Sequence, residues 1–294
     1  MTPLRDAEQT GVAFMTAAGK HSLGELRAMS SEDVFKVFQQ HSGGLNGAVV
    51  DGWFLPTDIY TIYAQGKQND VALITGATND EGGSLTASDD GPAAGGGGGR
   101  GGRGGGRGGG SPDTVAAYTD WATGTLGSKA GEFLKLYSAA TDAAARQAYH
   151  DAYRDFNFAG HRTWAKLQST TGKQPAFMYM FSHIPPFKDG NGNSPTPLRG
   201  AVHFSDMVFA FNNLRMWDYD WTDTDRKVAD AMTTYWTTFA KNLNPNGGGL
   251  PNWTPYDPKS ESWMNIGDTL RMEKFSTPRM DFIAGVQEAN RVRR

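Results

Sequence analysis

Two acids stand side by side at Asp80 and Glu81, in Thr78-Asn-Asp-Glu-Gly-Gly83, directly after a short apolar run. A histidine, His203, stands in Gly200-Ala-Val-His-Phe-Ser-Asp206, after a second such run. An imidazole that takes a proton from a nucleophile and returns it to a leaving group needs a buried carboxylate to hold its tautomer and stabilise its charged form. Loops at the carboxyl ends of sheet strands are where such groups gather, because they can be reshaped without disturbing the core. Adjacent positions of extended chain point to opposite sides, so the two acids face different surroundings. Both features also have plain readings, the acids as a helix cap and the histidine as a packing residue. The other five histidines, His21, His41, His150, His161 and His183, do not stand out by position.

The elements that must position these groups read as alternating strands and helices. Asp70-Val-Ala-Leu-Ile-Thr-Gly76 and Ala176-Phe-Met-Tyr-Met-Phe181 are continuous apolar runs, the pattern of strands buried on both faces of a parallel sheet. Between them a helical stretch runs from about 113 to 167, with breaks expected near Gly124, Gly131 and Gly160. Residues 222–241 make the strongest helix: Thr222 and Asp225 form a capping box, and Val228, Met232, Tyr235, Trp236 and Phe239 line one face. Upstream, 22–38 reads as two short helices, Asp51–Pro56 as a turn, and Ile59, Ile62 and Tyr63 as a third short helix. Strands alternating with helices predict an α/β layered fold.

Composition narrows the chemistry. The chain has 294 residues, 28 basic against 31 acidic side chains, and no cysteine, which excludes a disulfide scaffold, a thiolate metal site and a cysteine nucleophile. No run approaches the ~20 apolar residues of a membrane span, and acids stand where a secretory leader would be apolar. Thirteen of the 38 glycines fall between Gly95 and Gly110, broken only by Arg100, Arg103 and Arg107. Such a tract has almost nothing to bury and reads as a disordered insertion.

The residues around the candidate acids and histidine resemble the type-B carboxylesterase family, the cholinesterase-like esterases of the α/β-hydrolase fold. The resemblance rests on Ser22-Leu-Gly-Glu-Leu-Arg27, Val49-Val-Asp-Gly-Trp-Phe-Leu-Pro56, Gly66-Lys-Gln-Asn-Asp-Val71, Gly76-Ala-Thr-Asn-Asp-Glu-Gly82, Phe181-Ser-His-Ile-Pro-Pro186, Gly200-Ala-Val-His203 and Tyr235–Lys241 leading to Asn244-Pro-Asn246. It implies a mostly parallel sheet flanked by helices and hydrolysis of a small-molecule carboxylic ester. It also implies that Glu81 is the acid and His203 the base of a Ser-Glu-His triad. Asp206 stands where the family usually has Glu.

The nucleophile departs from the pattern. α/β-hydrolases place their serine in a Gly-x-Ser-x-Gly elbow upstream of the acid, and no such pentapeptide occurs in these 294 residues; Ser128 lies in a near match whose first glycine is Leu126. The His-Gly-Gly-type oxyanion loop is missing too. The resemblance therefore implies the C-terminal portion of an esterase domain spanning 1–294, without the N-terminal strands and the elbow and inactive alone: either a truncated reading frame or the downstream half of a split enzyme whose serine comes from a separate N-terminal half. An unpaired strand edge and uncovered apolar surface would then favour aggregation. Intact relatives are often secreted, which leaves the compartment open.

Other readings are weaker. The Arg-Gly-Gly repeats at 100–109 imitate RNA-binding tracts, but three arginines with almost no interleaved aromatic argue against nucleic acid. Asp189-Gly-Asn-Gly-Asn193 imitates a calcium loop, yet Ser194 and Gly200 occupy the positions that need Gly and Glu. The acids Asp218, Asp220, Asp223 and Asp225 lead into a helix N-terminus that favours negative charge, so no metal or cofactor is assigned. A non-catalytic, esterase-like interaction protein is the remaining alternative; the presence of both Glu81 and His203 weighs against it.

Overall fold

A computed structural model describes residues 1–41, 47–81, 112–187, 200–275 and 277–292. The Gly/Arg-rich tract at 95–110 and the Asp189–Asn193 turn lie outside the described residues. The chain divides into two units.

The first unit takes in residues 1–67. A two-residue strand β1 (Thr2–Pro3) pairs in parallel with β2 (Val49–Val50), and between them lie helices α1 (Leu4–Ala17), α2 (Leu23–Arg27) and α3 (Ser31–His41), with α4 (Ile59–Ala64) following. Local chemistry explains the starts: the Ser22 hydroxyl accepts from the Glu25 N–H, and the Asp58 carboxylate from the Thr61 N–H. Asp51 closes the expected turn by accepting from the N–H groups of Trp53 and Leu55. Among the described residues of this unit none is buried, and Trp53 and Phe54 are 88% and 79% exposed.

The second unit holds a four-stranded sheet. In chain order its elements are β3 (Leu73–Thr78), α5 (Val115–Leu126), α6 (Ala130–Leu136), α7 (Asp142–Thr171), β4 (Ala176–Phe181), α8 (Met207–Ala210), α9 (Asp223–Asn242), β5 (Ser262–Ile266), β6 (Leu270–Lys274) and α10 (Thr277–Val292). The sheet order is β3-β4-β5-β6; the first two pairings are parallel and β5–β6 is antiparallel, so the sheet is mixed. The two apolar runs form β3 and β4, in register from Leu73↔Ala176 to Thr78↔Phe181. β4 is buried on both faces. Phe177 and Phe181 join the core with Val208, Phe209, Met232, Tyr235 and Trp253 of one layer, while Ala176, Met178 and Met180 pack with Ala77, Phe158 and Ala165. Helices on both faces of a largely parallel sheet are the α/β arrangement that the alternation predicts.

α9 starts at the predicted capping box, with Thr222 accepting from the Asp225 N–H and Asp225 from the Thr222 N–H. Val228, Met232 and Tyr235 are buried on its inner face, with Trp236 and Phe239 packed beside them. The breaks expected in the preceding helical stretch need correction. The first falls at Gly127, which adopts φ 55°, and Gly131 lies inside the first turn of α6. No break occurs at Gly160, because α7 runs unbroken through it for 30 residues. An interior glycine costs only ~1 kcal/mol relative to Ala, and the packing of Ala145, Ala148, Ala152, Ala159 and Ala165 against the two cores outweighs that.

Candidate active site

The parallel register of β3 and β4 brings their carboxyl ends to one rim. Beyond β3, the Asn79 N–H donates to the Phe181 carbonyl at 2.9 Å and the Asp80 N–H to the Ala201 carbonyl at 2.9 Å. Asp80 bridges Val202 in parallel, and the Ala201 N–H returns to Asn79 Oδ1 at 2.6 Å. The segment carrying the acids is thereby tied to the segment carrying His203. Gly200 permits the approach: a Cβ there would lie 2.5 Å from Asn79 Oδ1.

Within this frame Asp80 and Glu81 diverge. Glu81 Oε2 lies 2.5 Å from His203 Nδ1, and Glu81 Oε1 accepts from the Thr78 N–H at 2.8 Å. Both carboxylate oxygens are therefore held. Asp80 turns the other way and meets His150 Nδ1 on α7 at 2.7 Å. The Glu81 side chain is 13% exposed and that of His203 54%, so the acid is covered while the imidazole faces outward. Among the described residues nothing engages His203 Nε2. The ring of Phe204, whose backbone takes φ 68°, lies 4.1 Å from the imidazole centroid.

Further titratable groups surround the pair. Tyr179 on β4 donates its hydroxyl to Asp206 Oδ2 at 3.0 Å. Burial pushes the Asp206 carboxyl above its ordinary range, the Glu81 charge adds to this, and the Tyr179 hydrogen bond opposes it. Tyr179 is driven well up by burial, with Asp206 contributing. His161 on α7 lies 2.7 Å from Thr75 Oγ1 through Nδ1; burial lowers its pKa and the Glu81 charge acts in the opposite sense.

Sequence reasoning missed the polar group at His183, two residues past β4. Its Nε2 lies 2.7 Å from Asp225 Oδ1 and its Nδ1 2.6 Å from Asp268 Oδ1. The ring is buried beside a cavity of about 520 Å³ lined by Ser182, Thr222, Asn265 and Arg271 among others. A second cavity, of about 360 Å³, lies against Arg154, Trp263 and Arg279. Glu81 and His203 line neither of these two cavities. Ser128 belongs to the 3-10 turn between α5 and α6. Among the described residues no group of three or more His, Asp or Glu is arranged to hold a metal ion, and no described helix is long and apolar enough to cross a membrane.

A carboxylate bound to one imidazole nitrogen, with the ring turned outward, can orient that ring and stabilise its charged form for proton transfer. The comparisons with known proteins bear on family and fold. The model of the carboxylesterase family matches residues 7–283. Rat carboxylesterase 1D (Rattus norvegicus) is 29% identical over 134 residues, which cover 45% of this chain and 23% of that protein. Rat bile salt-activated lipase is 27% identical over 240 residues, covering 76% of this chain and 35% of the lipase. The solved structure of a PNB esterase superposes with a TM-score of 0.69 at 20% identity, covering 96% of this chain and 55% of that one. The chain thus spans about half the length of that structure and a smaller share of these curated relatives. With the family's model matched across most of its residues and the layered sheet superposing on a solved esterase, the chain belongs to the type-B carboxylesterase family and has the α/β-hydrolase fold.

Proposed function

We propose that this chain supplies the acid, Glu81, and the base, His203, of a serine-dependent carboxylic ester hydrolase, and that the serine comes from residues outside this sequence. The observation that carries the reading is the 2.5 Å contact between Glu81 Oε2 and His203 Nδ1, with Glu81 Oε1 anchored by the Thr78 N–H. With Nδ1 held by the acid, Nε2 is left to receive the serine proton and to pass it to the leaving alcohol. Glu81 stabilises the imidazolium.

Two further features support residues 1–294 as the C-terminal portion of an esterase domain, with an insertion at 95–110. Among the described residues β3 has a neighbour only on its β4 side. A further parallel strand on the open side would bring its own carboxyl end to the same rim, where a nucleophile could meet His203. The unit formed by 1–67 buries none of its described residues, as a segment completed by other polypeptide would.

On this reading the chain alone lacks the acyl-enzyme route. The purified 294-residue protein should not hydrolyse an activated aryl ester above the buffer rate. Adding an N-terminal half that carries a Gly-x-Ser-x-Gly elbow should restore turnover, and His203→Ala should abolish it. Glu81→Gln should lower the restored rate by up to ~10⁴-fold, the scale known for misorienting a triad histidine. Enzyme-like hydrolysis by the chain alone, lost in His203→Ala, would overturn the proposal.

A further inference from the structure

The contact between Asp80 and His150 is one rung of a polar ladder between α7 and the chain that leads to the acid. His150 Nδ1 lies 2.7 Å from Asp80 Oδ1, His161 Nδ1 lies 2.7 Å from Thr75 Oγ1, and Gln168 Nε2 donates to Asp70 Oδ1 at 3.0 Å. The order is reversed between the two strands of the ladder, so α7 runs antiparallel to β3. The first two rungs match in length. Eleven residues of helix and five of extended chain each cover roughly 16 Å, and eleven residues are close to three full turns, which returns His150 and His161 to one face.

The rung at Asp80 differs from the other two in its place. Asp80 is the residue before the acid, past the last regular pair of β3, where backbone bonds to Phe181 and Ala201 secure the turn on the β4 side. Its side chain is 7% exposed and that of His150 is 15% exposed, so the carboxylate has little access to water if the imidazole is lost. The Tyr149 ring, from the preceding position of the helix, packs perpendicular to His150 with 5.9 Å between centroids.

We propose that His150 is a positioning residue for the acid: by holding Asp80 to α7 it fixes the turn at 79–81 and with it the direction in which Glu81 presents its carboxylate to His203. The inference rests on the reading of Glu81 and His203 as an acid–base pair, and it deepens that reading by assigning a role to the neighbouring carboxylate. The adjacent acids then divide the work, Glu81 facing the base and Asp80 anchoring the loop to the helix behind it. An unpaired Asp80 would be a buried charge seeking solvent, and any rotation that exposed it would swing Glu81 as well.

The test uses the full 294-residue chain as wild type, His150→Phe and His150→Gln. Glutamine retains a donor for Asp80, whereas phenylalanine keeps the ring and removes the donor. Amide hydrogen exchange over 78–81 and 201–203 should quicken by roughly tenfold in H150F and stay near wild type in H150Q, with the β5–β6 hairpin unchanged in both. In proton NMR, the hydrogen-bonded Nδ1 proton of His203, identified by its loss in H203Q, should vanish in H150F and persist in H150Q. Unchanged loop exchange in H150F overturns the inference. If the His203 proton is already missing in wild type, the acid–base reading fails, and loop exchange still decides the role of His150. If H150F does not fold, Asp80→Asn weakens the same bond from its other partner at constant volume. It must then raise loop exchange by about threefold, and no change overturns the inference.

Discussion

His183 to phenylalanine is the perturbation whose size the structure sets most sharply. The ring joins three elements: the segment after β4, the start of α9 at Asp225, and the β5–β6 turn at Asp268. Phenylalanine removes both ring nitrogens, and with them both carboxylate contacts, while keeping most of the volume. The two losses are unequal. The Asp225 side chain is 2% exposed and that of Asp268 is 75% exposed. Asp225 keeps its bonds from the Thr222 N–H and hydroxyl through Oδ2, both at 2.6 Å, so one of its three contacts disappears. Losing a charge-assisted bond costs ~1.5–3 kcal/mol, and breaking a buried pair outright ~3–5 kcal/mol. The exposed contact to Asp268 is worth under ~1 kcal/mol. His183→Phe should therefore cost about 3 kcal/mol and Asp268→Asn less than about 1 kcal/mol. At ~2–4 °C per kcal/mol for a domain of this size, the first variant should lower Tm by roughly 6–12 °C and the second by less than ~4 °C. Thermal unfolding followed by far-UV circular dichroism at pH 7 reads both. Equal losses in the two variants would refute the reasoning, since burial of Asp225 is what separates them.

Three further outcomes follow from groups near the rim. Burial lowers the pKa of His161 from its usual 6.5, so the unfolded chain takes up the proton first and stability falls as pH drops below that value. Between pH 7.5 and 5, Tm should decline less in His161→Gln, which keeps an acceptor for Thr75, and equal slopes would count against it. Asp206 is shifted the opposite way: its contribution is present below the ordinary carboxylate value and is lost as pH rises through the raised one. Asp206→Asn, which can still accept from Tyr179, should therefore match or exceed the wild-type Tm at pH 7 and lose that slope; a lower Tm would show that the charge itself is needed. Gly76→Ala places a Cβ 2.2 Å from the Tyr179 carbonyl oxygen and 2.3 Å from its ring. Because the obstacle is backbone of the paired strand, urea unfolding should show a loss of about 3 kcal/mol.

The parts of this architecture legible in the sequence are those whose signal is local. β3 and β4 are continuous apolar runs because they are covered on both sides, and α9 announces itself by the Thr222–Asp225 cap and its apolar stripe. β5 was not visible, since Ser-Trp-Met-Asn-Ile places a polar residue at Asn265 that is buried and accepts from Ser182 at 2.7 Å. Gly267 and Asp268 between the two strands were the turn signal that could have flagged the hairpin. The break expected at Gly160 did not occur, because tertiary packing on both sides of that position overrides a propensity term. His183 and His150 carried no signal at all: their carboxylate partners lie 42, 85 and 70 residues away, and only the folded chain brings them together.

Glu81 and His203 show why a site can be half-legible. Residue type and position after a strand single out both loops, but the choice between Asp80 and Glu81 depends on a turn at Asn79 whose geometry is set by Phe181 and Ala201, far along the chain. The separation of 122 residues between Glu81 and His203 is bridged by a simple constraint. Parallel neighbours end on the same side of the sheet, so once β3 and β4 pair, the loops that follow them must share a rim. Their unequal cover fits the roles proposed for them. A carboxylate 13% exposed keeps its charge close to the ring it serves, and an imidazole 54% exposed offers its far nitrogen to whatever approaches. A serine delivered to that rim by a strand beside the open edge of β3 would meet the base already oriented. On the reading proposed above, strand pairing and catalysis would be completed together at that one edge of the sheet.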